Sequence, residues 1–370
     1  MTLAGHELGP GAPCLVVAEA GSAHGGDLAR GVELVEAAAE AGAGAVKFQI
    51  IFADEIVHPR TGTIRLPGGE VPIYERFRQL ERDEAFYARL KDAAGRRGLL
   101  FLASVFGPRS LGVLRLLGAE AVKIASPELN HLPLLDLVAA SGLPAILSTG
   151  VSTMEDIRRA LSRCPGSALL HCVTAYPAPE SQYNLRLIPS LRSAFGVPVG
   201  VSDHSLDPLL VPGAAAALGA CLVEKHLTLG RSGGGLDDPI ALEPRAFASM
   251  VRGLRALEAL GQPVAGQGRA LEWLAGRYGR ERVEQVLGDG VKRLAAAEAG
   301  FYATTRRSLH AVGDIAEGAR LRPEDVCIVR SERNLRPGLE PEDFDAVVGR
   351  KARRRIPAGQ GIRWEDLLPP

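Results

Sequence analysis

The sequence predicts an α/β fold, a (β/α)8 TIM barrel followed by a helical linker and a small C-terminal domain. Three observations lead there. From Cys14 to about Leu260 short apolar runs alternate with Ala- and Leu-rich amphipathic segments, the pattern of βα units on a parallel sheet. Eight such runs are present, and each ends in polar residues. After Leu260 the alternation stops.

The expected strands are residues 14–18, 45–48, 99–103, 121–124, 145–147, 168–172, 197–201 and 220–223. Several follow a helix closed by glycine, at Gly42, Gly98, Gly118, Gly142 and Gly219, the residue that takes the left-handed helix-ending conformation without strain. In a (β/α)8 barrel the reactive groups gather at the C-terminal ends of the strands. Taken in order those ends carry Glu19, then Lys47 and Gln49, Ser104, Lys123 with Ser126, Ser148 with Thr149, and Thr174 with Tyr176. The last two carry Ser202-Asp203-His204 and Glu224-Lys225-His226. One shared site is expected.

The barrel is assigned to residues 1–260, the linker to 261–305 and the small domain to 306–370. The linker reads as helices rich in Arg, Glu and Leu. The small domain reads as short strands divided by turns at Gly313, Gly318, Arg336-Pro337-Gly338 and Gly359-Gln360-Gly361.

Composition narrows the function classes. Forty-three basic residues balance forty-three acidic ones, so no net field favours nucleic acid or a membrane surface, and a charged substrate must be held locally. No run reaches the roughly 20 apolar residues of a membrane span, and residues 1–13 lack a signal-peptide pattern. Five scattered cysteines without CxxC spacing read as buried free thiols, so a cytoplasmic protein is expected.

Lys47 and Lys123, projecting into one barrel mouth with the hydroxyls of Ser104, Ser126, Ser148 and Ser202, make a pocket for a phosphate and a carboxylate. The plainer alternative is that each lysine forms a barrel-lining ion pair. His204 and His226 at neighbouring strand ends suit a shared metal ion with open positions; alternatively they are core histidines bonded to Asp203 and Glu224. Glu19 ends an almost wholly apolar strand, a setting that suits a carboxyl to proton transfer, unless it pairs with Lys47. His24 receives no role. The glycine run at Ser232 to Asp238 reads as a loop over the mouth, with Asp237 placed to accept from sugar hydroxyls.

These residues resemble the N-acetylneuraminate (sialic acid) synthase family, including pseudaminate and legionaminate synthases, over nearly the whole chain. The likeness is carried by Val17-Ala18-Glu19-Ala20-Gly21, Val46-Lys47-Phe48-Gln49, Val122-Lys123-Ile124-Ala125-Ser126 and Leu147-Ser148-Thr149-Gly150. It continues through Ala175-Tyr176-Pro177-Ala178-Pro179, Val201-Ser202-Asp203-His204-Ser205 and Val223-Glu224-Lys225-His226, and Arg306-Arg307-Ser308-Leu309 opens a tail similar to the family's antifreeze-like (SAF) domain, a β-clip.

The resemblance implies condensation of phosphoenolpyruvate with the open-chain aldehyde of an N-acyl hexosamine, giving a nonulosonic acid and phosphate. It implies that Lys47, Ser104, Lys123, Ser126, Ser148 and Ser202 hold phosphoenolpyruvate. His204 and His226 would bind a divalent ion, Mn2+ or Mg2+. Glu19, Gln49, Tyr176 and Asp237 map onto positions that meet the sugar or metal-bound water, with Glu19 moving protons. Thr174 stands where some members place asparagine and is counted with the substrate-binding residues. The resemblance also implies a homodimer in which the small domain covers the partner's barrel mouth and lends an arginine, with Arg336 favoured over Arg330. The chain departs from the family's pattern at Ala23, Gly25-Gly26, Leu236 and the long segment after Gly261, so the acceptor sugar is the open point.

Two other readings stand beside this one. A barrel condensing phosphoenolpyruvate with a phosphorylated aldose needs a second cationic cluster, for which only Arg231 offers itself. A non-catalytic sugar-binding protein needs a catalytic group to be missing.

Overall fold

The computed structural model describes residues 1–3, 5–9, 11–66, 69–261 and 263–369, with the backbone alone at 66 and 263–267. Gln262 of the expected linker and Pro370 of the expected small domain lie outside the described residues. At its centre eight parallel strands close into a barrel: β1 (Leu15–Gly21), β2 (Ala45–Gln49), β3 (Leu100–Ser104), β4 (Val122–Ile124), β5 (Ala145–Ser148), β6 (Ala168–Cys172), β7 (Val199–Asp203) and β8 (Leu222–His226). Each strand pairs with the next in sequence, and β8 returns to β1.

Alternation along each strand explains both faces. Val16, Phe48, Phe101, Leu147, Leu169, Val201 and Val223 point outward and join the core beneath the helices. Leu15, Val17, Ala45, Leu102, Ile146, Leu170 and Leu222 point inward and fill the lower barrel, where Leu3, within an N-terminal pair of short strands, and Leu8, just after it, close the bottom. Continuing each inward row by two residues turns it polar. Val17 leads to Glu19, Ala45 to Lys47, Leu102 to Ser104, Ile146 to Ser148 and Leu222 to Glu224, so the same row that packs the core below builds the site above.

The last two strands run on past their expected ends, through Asp203 and His226. Asp203 and Lys225 tolerate this because they pair with each other on the outer face, Nζ to Oδ2 at 2.5 Å with both side chains fully buried. After β2 comes an excursion absent from the sequence-based expectation, a hairpin of Thr63–Leu66 with Gly69–Pro72 leading into the helix Ile73–Arg78.

The linker is helical as expected, with Pro263–Tyr278 and Arg280–Leu287 packed on the barrel helix Leu210–Ala217. The small domain pairs β9 (Arg307–Ala311) antiparallel with β10 (Val326–Arg330) over a core of its own that includes Leu309, Leu321, Val347 and Ile362. No helix of the described residues is long and apolar enough to cross a membrane.

The small domain sits over the barrel mouth of its own chain. The Arg330 N–H donates to Ile56 O at 2.9 Å, and Asn130 Nδ2 donates to Arg307 O at 2.9 Å. Glu128, in the turn after β4, takes Arg307 Nη2 at 2.9 Å and Arg330 Nη2 at 2.5 Å. The chain's own linker brings β9 and β10 back to Glu128 and Asn130.

Candidate active site

The inward polar row encloses a cavity of about 220 Å3 at the C-terminal end of the barrel. Lys47, Ser104, Lys123, Ser126, Ser148 and Ser202 line its floor. Glu19, Gln49, His204, His226 and Asp237 line one side, and Tyr176 and Arg330 stand at the opening. The barrel thus gathers twelve of the residues predicted for the site, the small domain adds Arg330, and two fall elsewhere.

Thr174 is one. It is buried outside the cavity, because the chain turns sharply after β6 and its N–H is taken by Glu298 Oε1 at 2.7 Å. Arg336 is the other. It lies in the turn that packs against residues 361–366, where its guanidinium reaches Gly361 O and pairs with the buried Asp366. Arg330, the last residue of β10, faces the site instead, so the order expected for the two arginines is reversed. Arg231 is also away from the cavity, donating to Ala241 O.

Both lysines are nearly inaccessible, at 3% and 2% exposure, and their electrostatics differ. Burial alone would depress Lys47, yet Glu19 Oε2 at 2.8 Å and Glu224 Oε2 at 3.5 Å outweigh it and raise its pKa. Lys123 donates to Ser148 Oγ at 2.7 Å and lies 3.8 Å from Glu224. Burial lowers its pKa, and the pull of Glu224 does not overcome that loss together with repulsion from Lys47. Lys123 therefore shares Glu224 with Lys47 and is the less compensated of the two.

Glu224 is the functional residue that the sequence reading passed over, having placed it beside the histidines only as a partner. Burial opposes its charge, but Lys123, Lys47 and the Ser202 hydroxyl, at 2.9 Å, hold its carboxyl below the usual carboxylate range. Position parity was the available signal: Glu224 is two residues before His226 and must share its face.

On the other side His204 and His226 lie with ring centroids 5.5 Å apart, and Tyr176 stacks on His204 at 4.3 Å. His204 Nδ1 is 2.9 Å from the Val173 carbonyl and donates to it, which leaves Nε2 as the free lone pair. Burial lowers the pKa of both rings, more than the nearby carboxylates raise them, so both are neutral near pH 7. Asp237 Oδ2 is 3.9 Å from His226 Nδ1. His24 lies apart from this group: its Nδ1 accepts from Gly26 N at 2.9 Å and its ring packs on Phe86.

The outer part of the cavity is walled by apolar side chains, Ile56, Phe77, Phe106 and Leu236. Phe77 comes from the inserted helix after β2, which also holds the glycine-rich loop, Arg76 Nη2 donating to Gly234 O at 2.9 Å.

Residues 34–265 match the NeuB family and residues 306–368 match the SAF domain. The chain belongs to the NeuB family. It is 35% identical to the spore coat polysaccharide biosynthesis protein SpsE of Bacillus subtilis, over 99% of this chain and 96% of that protein. The SpsE crystal structure superposes with a TM-score of 0.83, covering 100% of this chain and 99% of the other at 34% identity. The N,N'-diacetyllegionaminic acid synthase of Legionella pneumophila is 32% identical over 96% of this chain and 94% of its own length. N-acetylneuraminic acid synthetase from Leptospira borgpetersenii, solved with citrate, aligns at 31% identity with a TM-score of 0.61, over 81% of this chain and 94% of that one.

Proposed function

We propose that this NeuB-family protein condenses phosphoenolpyruvate with the open-chain aldehyde of an N-acyl hexosamine, giving a nonulosonic acid and inorganic phosphate. The observation that carries the reading is the division of one cavity into two ends. Two buried ammonium groups and four serine hydroxyls occupy the floor, while two neutral imidazoles and two carboxylates occupy the side. The first set suits a phosphorylated carboxylate, and Lys123, which only shares Glu224 with Lys47, gains further counter-charge when such an anion arrives. The similarity to a legionaminic acid synthase and an N-acetylneuraminic acid synthetase supports this division.

In the reaction C3 of the enol attacks the aldehyde carbon, water adds at C2, and phosphate leaves as the C2 keto group forms. Glu19, paired with Lys47 and accepting from Gln49 Nε2 at 3.1 Å, is placed to hold or release the protons that these steps exchange.

The donors at the side fit a divalent cation such as Mn2+ or Mg2+. The Val173 carbonyl fixes the tautomer of His204 and leaves its Nε2 lone pair available, His226 stands beside it, and both rings are neutral. Among the described residues no group of three or more His, Cys, Asp or Glu side chains is arranged to hold an ion alone. The fit is therefore to an ion that takes its other ligands from water and substrate. When bound it would polarise the aldehyde oxygen.

Incubation with phosphoenolpyruvate, Mn2+ and a panel of N-acyl hexosamines and phosphorylated aldoses is expected to release phosphate only with an unphosphorylated N-acyl acceptor. The outer wall argues for this, since a second phosphate would meet Ile56, Phe77 and Leu236, with Arg330 the one lining cation outside the floor among the described residues. Release with phosphorylated aldoses instead would favour the alternative condensation, and sugar binding without turnover would favour a non-catalytic protein.

The homodimer implied by the resemblance belongs to the same proposal. Glu128 and Asn130 offer the same docking points to Arg307 and Arg330 of a second copy. At low acceptor concentration, mixing the Lys123→Met and Arg330→Ala variants would restore activity if domains are exchanged and would not if each chain covers itself. A reducing cytosol suits the chain, whose five cysteines are all free.

A further inference from the structure

The floor of the cavity is held in shape from outside the barrel. After Ser148 the chain turns through Thr149, Gly150 and Val151, and Val151 adopts φ 41°, a left-handed conformation that a β-branched residue rarely takes. Something must hold it there. Glu298, on the short helix Ala296–Ala299 near the end of the linker, is 1% exposed, and its Oε1 accepts the N–H of Val151 at 2.8 Å and that of Thr174 at 2.7 Å. Its Oε2 accepts from Ala295 N at 3.2 Å. From the same segment Lys292 Nζ donates to Thr149 O at 2.8 Å.

The clamped turn touches the site directly. The Gly150 N–H donates to Ser126 Oγ at 3.0 Å, and Ser148 Oγ receives Lys123 Nζ at 2.7 Å. The fit is close. A Cβ on Gly150 would lie 2.1 Å from Thr174 Oγ1 and 3.0 Å from both Glu298 Oε1 and Ser126 Oγ. Glu298 lies outside the cavity lining, so its influence passes through the backbone of Gly150 and Val151 to Ser126, Ser148 and Lys123.

We propose that Glu298, aided by Lys292, is a positioning residue for the phosphoenolpyruvate end of the site, so that the linker sets how tightly that anion is held. The inference rests on the reading of the lysine and serine floor as the phosphoenolpyruvate site. Glu298→Gln keeps the shape but gives up the charge that strengthens three backbone hydrogen bonds, and Lys292→Met removes the second arm.

The full-length protein, wild type and variants, would be titrated calorimetrically with phosphoenolpyruvate alone and assayed for phosphate release. Glu298→Gln is expected to weaken phosphoenolpyruvate binding about tenfold, and Lys292→Met by about threefold, through looser charge-assisted contacts. The KM for phosphoenolpyruvate should rise while kcat at saturation, the acceptor KM and Tm stay near wild type. Wild-type affinity in both variants would overturn the proposal. So would a parallel rise of both KM values with a fall in Tm, the mark of a merely structural role. Lys123→Met separates the two layers: if it too binds phosphoenolpyruvate like wild type, the floor assignment fails, whereas its loss of binding beside an unaffected Glu298→Gln condemns the positioning role alone.

Discussion

Glu19 and Lys47 are direct neighbours across β1 and β2, with Oε2 2.8 Å from Nζ. The sequence left two roles open for Glu19, proton transfer and pairing with Lys47, and the structure shows the pairing. The two are compatible, since a carboxylate held by an ammonium and by Gln49 is fixed in place at the junction between floor and side. Glu19→Gln keeps the hydrogen-bonding shape and removes the proton acceptor. It is expected to lower kcat by on the order of 10²–10⁴ while binding phosphoenolpyruvate nearly as well as wild type, read by steady-state phosphate release and by titration.

His226→Ala removes one of two neutral imidazoles and leaves the outer pair of Asp203 and Lys225 intact. The variant should fold normally by circular dichroism and lose Mn2+ binding, followed by electron paramagnetic resonance, together with turnover. Retention of both Mn2+ binding and turnover would remove His226 from the ion site.

Much of this was legible in the sequence because a barrel strand is a simple object: an apolar run, a glycine-closed helix before it and polar residues after it. At Ser202 to Asp203 and Glu224 to His226 polarity mimics the end of a strand, although alternation continues through it. Glu224 was missed for the same reason. The choice between Arg330 and Arg336 was not legible, since both sit in a domain of short bridges and turns, and only docking of β10 beside Val57 decides which faces the barrel. Glu298 was equally hidden, because its partners Val151 and Thr174 are backbone groups far away in sequence.

Three histidines away from the ion site make folding acid-sensitive. Burial, with Arg82 and Arg30 adding to it, lowers the pKa of His24 to about 4, and burial lowers His310 to about 4 and His171 to about 3. In the unfolded chain each titrates near 6.5. Above that value neither state is protonated and their neutral burial costs nothing; below it the unfolded chain takes up protons that the folded chain refuses, so stability falls with pH. Each group contributes up to about 1.4 kcal/mol per pH unit between roughly 6.5 and its folded value. Urea midpoints measured from pH 7 to pH 4.5 should fall accordingly, and His24→Gln should flatten that slope.

One buried carboxylate joins both arginines of the small domain to the barrel. Glu128 is fully buried and receives Arg307 and Arg330, and Arg307 spends its remaining donors on the carbonyls of Glu55, Ile56, Phe106 and Ile328. Arg307 is thereby a structural fixture, whereas Arg330 keeps a face toward the cavity. Removing the charge of Glu128 leaves two guanidinium groups together without their counter-ion, one of them wholly inaccessible, a loss of about 3–5 kcal/mol for a broken buried pair. Glu128→Gln should therefore lower the urea midpoint of the small domain more than that of the barrel, and limited proteolysis should cut first within 288–305. Replacing Arg330 with alanine removes one cation but leaves Arg307 paired, so it should cost far less stability while raising the acceptor KM. If the two variants instead destabilise equally, Arg330 is a second fixture of the interface and the acceptor end must be read from Tyr176 and Asp237 alone.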